Sequence, residues 1–388
     1  MNILFIATSH NPFNPTQGAS QRTSLLLQAC AAIANVDVIS FCTENEPSTD
    51  AYNIVYQSIV NTHNPQNRFA KFRCLLTPWK PESVFGLDSV KKDVIDTYVQ
   101  KKDYDYIVIR YMPDAIQCGL LRYANKLVID VDDHPVDAIF NKSLFVRSLQ
   151  NKIYHKIYAM AVKWAYNVVL HSIKYAGFTN AAQVRTKNSF HLPNVPYYDI
   201  PTKQDITDKM INHRLLFVGD LAWPLNIHGI KRFMTNVYPS VLNIIPDLTL
   251  HIVGNICDEK LINELQTYSG VSVMGFVPKL SKEYEECVAA VVPIYHGAGT
   301  CIKVLEAMQM QRVCVTTPIG FRGYNVVFTP NEDCLLANDD NEFAEKIVQA
   351  LTNDELRKKI VSSSYIKQKQ FYSKENFFLI VKENFMKK

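Results

Sequence analysis

Residues 293–308 have the sequence PIYHGAGTCIKVLEAM, in which an apolar strand ends, a turn with two glycines follows and a helix begins. The first amides of a helix lack intrahelical acceptors and lie at the positive end of its dipole. Such a helix start suits an anion, for example a diphosphate. Gly297 and Gly299 let the backbone approach a ligand, and Lys303 adds a cationic donor in the first turn. This stretch therefore predicts a phosphate site between a strand and a helix of an α/β sheet.

Glu306 extends this prediction from phosphate to a whole nucleotide. It lies three residues after Lys303 on the same helical face and can accept hydrogen bonds from two vicinal ribose hydroxyls. Phosphate neutralised by Lys303 and ribose held by Glu306 describe a nucleoside diphosphate. The alternative is an ordinary surface ion pair between the two side chains, worth roughly 0.3 kcal/mol. The residues alone leave both interpretations open.

The rest of the chain alternates short apolar runs with helix-length periodic segments, which is typical of βαβ units around a parallel sheet. The strands predicted in the first half lie near residues 2–8, 36–42, 53–58, 106–110, 126–131 and 167–171. Periodicity is lost over about residues 191–212, as in a linker between domains. The strands predicted after it lie near residues 214–218, 248–254, 271–275, 288–293 and 312–316. The pattern predicts two doubly wound α/β domains with ligands bound beyond the carboxyl ends of the strands.

Composition and charge narrow the class of protein. The 388 residues are 47% hydrophobic and carry a net charge of +4, a mild excess that does not argue for nucleic acid. The longest apolar stretch, about Cys287 to Tyr295, is far shorter than the ~20 residues of a membrane-spanning helix. The N-terminus lacks a basic leader and cleavage site, which favours the first strand of a cytoplasmic protein. Nine cysteines without a Cys-x-x-Cys pair argue against disulfides or structural zinc.

Several dedicated motifs are missing from the sequence. It contains no P-loop, no G-x-S-x-G, no H-E-x-x-H and no G-x-G-x-x-G after a strand, which disfavours P-loop hydrolases, esterases, zinc proteases and nicotinamide enzymes. Asp130, Asp132 and Asp133 lie close together at a predicted strand end. We favour turn capping over metal ligation for these carboxylates, because Asp is common where a parallel strand ends.

Three segments together resemble a known family. The stretch 293–308 resembles the nucleotide-binding signature of family 4 glycosyltransferases, in the branch with the pattern G-x-G-T-x-x-K-x-x-E-A-M. Residues 217–226, FVGDLAWPLN, are similar to the opening of the second domain in that branch, and residues 2–22 look like the family's first strand and glycine loop. The resemblance covers nearly the whole chain, with its elements in the family's order.

The resemblance implies a GT-B fold, in which two Rossmann-like domains face a central cleft. Residues 1–195 would form the acceptor-binding domain, residues 196–368 the nucleotide-sugar-binding domain, and residues 369–388 a helix crossing back to the first domain. The implied activity is hexosyl transfer from a nucleotide diphosphate sugar to an acceptor hydroxyl, with retention at the anomeric carbon, in bacterial polysaccharide or glycoconjugate assembly. The donor is then a substrate, and no metal or other cofactor is expected.

Carried over residue by residue, the resemblance implies that Glu306 binds the donor ribose and that Lys303 and the amides around Thr300 hold the diphosphate. The implied donor-binding set is Gly18, Gly219, His296, Gly297, Ala298, Gly299, Thr300, Cys301, Lys303 and Glu306. We expect Lys303, Glu306 and His134 to be the catalytic residues. His134 follows a first-domain strand, where it contacts the transferred sugar or acceptor, or else only stabilises a turn.

The sequence departs from the family pattern in its charged residues. Many members have a sugar-contacting Glu eight positions before the ribose-binding one, where this chain has Ala298. Asp220 and Leu225 occupy the places of the Arg and Lys in the family's common G-R-x-x-x-x-K-G opening of the second domain. Cys301 stands where the branch often has Arg. Lys303 is therefore expected to be the main positive charge on the leaving group.

Other residues leave two interpretations each. Arg22 and Arg110 either contact substrate from the first domain or serve the structure. The segment from Asn141 to Lys163 interleaves lysines with apolar residues. It either rests on an anionic membrane, suiting a lipid-linked acceptor at the cytoplasmic face of the inner membrane, or forms a solvated helix face, which we favour.

The expected partners are a nucleotide-sugar donor and a glycan or lipid-linked acceptor, without nucleic acid. Two rival functions remain at this point: a nucleotide-sugar epimerase of the same fold, and a non-catalytic nucleotide-sugar-binding subunit. Sugar transfer by the purified protein would favour the glycosyltransferase, and interconversion of the donor would favour the epimerase. Absence of both reactions would favour the binding subunit.

Overall fold

The computed structural model describes residues 1–15, 18–60, 77, 79–132, 136, 139, 148–198, 212–256, 258–297 and 299–386. The chain divides into two compact units. The first comprises Met1–Tyr197 together with Lys374–Lys388, and the second comprises Tyr198–Ser373. Each unit has its own parallel β-sheet with helices.

The first unit contains a seven-stranded sheet in the order β3-β2-β1-β4-β5-β6-β7, with all neighbouring strands parallel. Its strands are β1 (Asn2–Ala7), β2 (Asn35–Ser40), β3 (Asn53–Gln57), β4 (Tyr106–Arg110), β5 (Leu127–Asp132), β6 (Tyr175–Phe178) and β7 (Ser189–His191). Its first helices are α1 (Gly18–Ala31), α2 (Pro81–Phe85), α3 (Ser89–Lys101), α4 (Met112–Gln117) and α5 (Leu149–Ser172). Two short 3₁₀ helices lie at Leu120–Tyr123 and Ala181–Gln183.

The second unit contains a six-stranded parallel sheet in the order β10-β9-β8-β11-β12-β13. Its strands are β8 (Arg214–Val218), β9 (Thr249–Val253), β10 (Val271–Gly275), β11 (Ala289–Val292), β12 (Val313–Thr316) and β13 (Leu335–Leu336). Its helices are α6 (Pro224–Asn236), α7 (Tyr238–Ile244), α8 (Glu259–Gln266), α9 (Leu280–Glu286), α10 (Ile302–Gln309), α11 (Asp340–Thr352) and α12 (Asp354–Phe371). The last helix, α13 (Lys374–Phe385), returns to the first unit.

The strand order decides where a ligand can bind in the second unit. Sequence order reverses between β8 and β11, which lie side by side at the centre of the sheet. In doubly wound sheets, ligands bind beyond the carboxyl ends of the strands at this reversal. Here those ends are Val218 and Val292, so the segments that follow them, starting at Gly219 and Pro293, occupy the binding edge.

The predicted class of fold is confirmed, whereas one predicted strand is wrong. Residues 167–171 lie in the last turns of α5 and not in a strand. The neighbouring Val168 and Val169 imitate a strand, but the buried Val162, Tyr166 and Val169 recur at helical spacing. The strand expected there is β6, which starts at Tyr175.

The C-terminal helix α13 is anchored in the first unit by an aromatic contact and a hydrogen bond. The hydroxyl of Tyr106 on β4 donates to the carbonyl oxygen of Phe385 at 2.8 Å, and the two rings lie 5.2 Å apart. Phe377, Val381 and Phe385 are buried. The predicted return of the chain to the first domain therefore holds.

A buried ion-pair network joins α1, β4 and β5. Arg22 binds both carboxylate oxygens of Asp130, at 2.7 and 2.8 Å, and Arg110 binds the same carboxylate at 2.9 Å. Arg110 also donates to Asp132 at 2.7 Å. Arg22 and Arg110 are 5% and 3% exposed, so both serve the structure of the first unit.

Asp130→Asn is expected to lower the free energy of unfolding by about 3 kcal/mol, because it leaves two buried guanidinium groups without their shared carboxylate. Urea and thermal unfolding would measure this loss. Asp93→Asn is the control, since the Asp93 side chain is 75% exposed and forms a surface pair with Lys92. The two arginines hold the pKa of Asp130 below its usual value against the opposing effect of burial.

The sign of the pH effect follows from that lowered pKa. The stabilisation by Asp130 is present above the unfolded-state pKa of about 3.9 and is lost as the pH falls through the lower folded-state value. The difference between wild type and Asp130→Asn should therefore be largest near neutral pH and shrink in acid. Equal stability of the two proteins at neutral pH would contradict this account.

Candidate functional site

Three elements of the second unit meet around the ammonium group of Lys303. Lys303 lies in the first turn of α10, and its Nζ donates to Oδ1 of Asn226 on α6 at 2.7 Å. Nζ also lies 5.5 Å from the centre of the Phe217 ring on β8. A Cβ atom at Gly219 would come within 3.0 Å of Nζ, so a side chain there would press on the amine. The ammonium thus occupies the carboxyl end of β8.

Asn226 orients this lysine, a function that was not predicted for it from the sequence. Its Nδ2 donates to the backbone carbonyl of Asp220 at 2.7 Å, which leaves Oδ1 to accept from Lys303. The sequence signal was present, because Asn226 closes the motif that begins at Phe217. The loop at the end of β8 and the start of α6 therefore act as one support for the amine.

Two glycines allow the backbone segments of this edge to approach one another. A Cβ atom at Gly229 of α6 would lie 2.2 Å from the carbonyl oxygen of Pro293, directly after β11. Gly254 follows β9 with φ at +144°, and a Cβ atom there would lie 2.0 Å from the carbonyl oxygen of Gly219. Any side chain at either position would push the segments apart.

An arginine that the sequence analysis did not consider binds the backbone of the glycine turn before α10. Nη2 of Arg322 donates to the carbonyl oxygens of Gly297 and Gly299, at 2.8 and 3.3 Å. Gly297 and Gly299 have φ values of +155° and +94°, which L side chains rarely adopt. Arg322 thus fixes the direction of both carbonyls and with it the course of the turn.

Helix α10 begins without a side-chain cap. Cys301 occupies the N-cap position, and its side chain makes no capping hydrogen bond to the first turn. Burial raises the pKa of the Cys301 thiol, which keeps this group neutral. A ligand anion is a suitable acceptor for amides that an N-cap side chain would otherwise satisfy.

Glu306 and Lys303 are both partly buried and do not neutralise each other by contact. Burial raises the pKa of Glu306 to about 7, and the charge of Lys303 opposes this. Burial lowers the pKa of Lys303, and the carboxylates of Glu306 and Asp220 oppose this effect. Within the described part of the chain, no ion pair joins Lys303 to Glu306, and the Glu306 carboxylate accepts no hydrogen bond. The surface ion pair considered above therefore does not form, and titratable groups perturbed in this way are typical of binding sites.

The other predicted site residues are distributed as follows. His296 precedes the glycine turn, with its ring 5.0 Å from that of His228 on α6. Gly18 begins α1 in the first unit, is exposed, and has nothing within 4 Å of an added Cβ atom. His134 and Ala298 lie outside the described residues. The remaining predicted donor-binding residues all belong to the second unit: Gly219, His296, Gly297, Gly299, Thr300, Cys301, Lys303 and Glu306.

Two of the three clustered carboxylates, for which turn capping was expected, take part in the ion-pair network. Asp130 is shared by two arginines and Asp132 is bound by Arg110. Among the residues that the structure describes, no group of His, Cys, Asp and Glu has an arrangement that could hold a metal ion. Asp133 lies outside those residues.

None of the described helices has both the length and the apolar composition needed to cross a bilayer.

Comparison with known proteins relates the second unit to a protein family. Residues 212–353 match the family model "Glycosyl transferases group 1". A curated relative, an uncharacterized 44.6 kDa protein in the cps region of Klebsiella pneumoniae, is 28% identical over 296 residues, covering 73% of this chain and 75% of the relative.

Two solved structures match over almost their whole length. Sucrose-phosphate synthase from Thermosynechococcus elongatus has a TM-score of 0.69 at 16% identity, covering 99% of this chain and 98% of the other. HepE from Anabaena, in complex with UDP and glucose, has a TM-score of 0.62 at 13% identity over the same shares. The whole chain thus has the GT-B fold, and the part of the second unit that holds Lys303 and Glu306 matches the glycosyl transferases group 1 model.

Proposed function

We propose that this protein is a retaining glycosyltransferase of family 4, which moves a hexosyl group from a nucleotide diphosphate sugar to an acceptor hydroxyl. The observation that carries the proposal is the partly buried ammonium of Lys303, held by Asn226 where β8 ends and α10 starts. The family match over residues 212–353 supports the class of reaction. Donor binding by the second unit and acceptor binding by the first are parts of this proposal.

Lys303 and the start of α10 supply the electrostatic part of the mechanism. As the bond between the sugar and the diphosphate lengthens, negative charge grows on the leaving group. A fixed ammonium and uncapped amides stabilise that charge strongly because they are already oriented and partly shielded from water. The leaving phosphate then accepts the proton of the incoming hydroxyl on the same face of the sugar, which gives retention without a carboxylate nucleophile. This scheme needs no divalent metal.

The proposed donor is a uridine diphosphate sugar, because HepE, a structural neighbour, is found in complex with UDP and glucose. The proposed setting is bacterial polysaccharide or glycoconjugate assembly in the cytoplasm, because the Klebsiella relative lies in a cps region. The acceptor is then a glycan or a lipid-linked saccharide. His134 is proposed to contact the transferred sugar or this acceptor.

Nucleotide binding is the first test. UDP should raise the midpoint of thermal unfolding, because a ligand that binds only the native state stabilises it. Lys303→Met should remove most of the shift in the unfolding midpoint, since Met has an unbranched side chain of similar length but no charge. Lys282→Met is the matched control, because the side chain of Lys282 is 70% exposed. A full UDP shift in Lys303→Met would contradict the assigned role of this lysine, and ADP, GDP and dTDP should give smaller shifts.

Transfer is the second test. Lys303→Met is expected to lower kcat roughly hundredfold, the loss typical of one leaving-group or oxyanion donor. Release of UDP from UDP-sugars with and without acceptor, including after EDTA treatment, would measure it. Interconversion of the donor without acceptor would favour an epimerase. UDP binding without any turnover would favour a non-catalytic subunit.

The third test uses the pKa of Glu306. The ionised carboxylate accepts more strongly from both ribose hydroxyls than the protonated acid, so affinity for a UDP-sugar should rise as the pH increases through about 7. Glu306→Gln should bind more weakly at pH above 7 and lose this pH dependence. Calorimetry over this pH range would measure both effects, with Glu345→Gln on the exposed side of α11 as control. An unchanged pH profile in Glu306→Gln would remove Glu306 from the site.

A further inference from the structure

Helix α5 carries a row of large apolar side chains on its solvent side. We call this row the outer stripe; its members are Leu149, Ile153, Ile157, Met160, Trp164 and Val168. At 3.6 residues per turn, these six positions fall within an arc of about 100°. Leu149, Met160 and Trp164 are 72%, 70% and 57% exposed. An exposed apolar row of this length is typical of an interaction surface.

The fold of the first unit does not account for the outer stripe. The opposite side of α5 supplies the core contacts, through Val162, Ala165, Tyr166 and Val169 among others. The first ten residues of the helix contain no buried side chain. A helix that is apolar on two opposite faces has one face more than the packing of its own unit uses.

The charge of this region bears on which partner would suit the outer stripe. Residues 138–198 contain eight Lys and Arg and no Asp or Glu, whereas the rest of the chain has 33 Lys and Arg against 37 Asp and Glu. The positive excess of the chain is therefore concentrated in this segment. A segment that is this basic has no carboxylate to offer a positively charged partner.

The cations of α5 lie beside the stripe and not among the core residues. Lys152, Lys156 and Lys163 are exposed and fall along one border of the outer stripe on the helical projection. A cavity of about 350 Å³ opens next to this border, lined in part by Lys163, His171 and Arg185. Apolar side chains flanked by cations match the two layers of an anionic membrane surface, acyl chains below and phosphate headgroups above.

We propose that the outer stripe and its three bordering lysines dock this protein on an anionic lipid membrane, with α5 lying in the plane of the surface. A second copy fits less well, because a symmetric contact of this face would bring two sets of lysines together without a carboxylate. Nucleic acid would match the lysines but offers no apolar layer for the aliphatic side chains. The proposal concerns membrane binding and holds whether or not the donor is a uridine diphosphate sugar.

Sedimentation with vesicles tests the proposal on the full chain. The protein should bind vesicles of phosphatidylcholine with about 30% phosphatidylglycerol, bind pure phosphatidylcholine much more weakly, and be released by high salt. Ile153→Ser with Met160→Ser and Trp164→Ser should weaken binding roughly tenfold or more. Lys152→Glu with Lys156→Glu and Lys163→Glu should do the same.

Matched variants elsewhere in the chain control for general effects of composition. Phe276→Ser with Ile366→Ser removes apolar side chains that are 75% and 62% exposed in the second unit. Lys358→Glu with Lys359→Glu and Lys369→Glu reverses three exposed charges on α12. Both controls should bind vesicles like the wild type, and all variants should be compared at equal thermal stability.

Fluorescence adds a readout that does not depend on altering the stripe. In the variant Trp79→Phe with Trp223→Phe, Trp164 is the remaining tryptophan, because the chain has three. Its emission should shift to the blue on anionic vesicles and stay unchanged on neutral ones. Absence of both binding and shift would overturn the proposal, as would equal losses in the controls, or a dimer in solution that the stripe variant dissociates while vesicle binding is absent.

Discussion

The site depends on one constraint, that an ammonium group must stay charged while it is partly withdrawn from water at the carboxyl edge of the second sheet. Burial favours the neutral amine, and the protein opposes this with the amide oxygen of Asn226 and the nearby charge of Glu306. Gly219 provides the space, because any side chain there would press on Nζ. In the proposed mechanism, the diphosphate of the donor restores the solvation that the amine has lost.

The two units use their charged residues differently. In the first unit, Arg22, Arg110 and Asp130 satisfy one another in the interior, and their cost of desolvation is offset by bidentate hydrogen bonds. In the second unit, Lys303 and Glu306 are close enough to influence each other's pKa but are not in contact. A closed network stabilises a fold, whereas an open one leaves capacity for a ligand.

The departures from the family pattern concentrate the chemistry on fewer groups. In the family pattern that the sequence resembles, the places of Asp220, Leu225 and Cys301 hold Arg or Lys. In the proposed mechanism, Lys303 therefore acts on the leaving group with little help from other side chains. Arg322 does not replace the missing charges, because its Nη2 is engaged by the carbonyls of the glycine turn. The direction of the α10 amides therefore depends on the backbone of that turn.

The sequence by itself determined the alternation of strands and helices, the glycine turn and the positions of Lys303 and Glu306, because these are local patterns of polarity and backbone freedom. It could not distinguish the helix at residues 167–171 from a strand, since two adjacent valines suit either conformation. Only the tertiary structure decided that Arg22 and Arg110 meet Asp130, that Asn226 holds Lys303, and that Gly229 and Gly254 permit close backbone contacts. It also exposed the second apolar face of α5. Each of these depends on which residues distant in the chain become neighbours, and hydrophobic periodicity carries no information about such pairs.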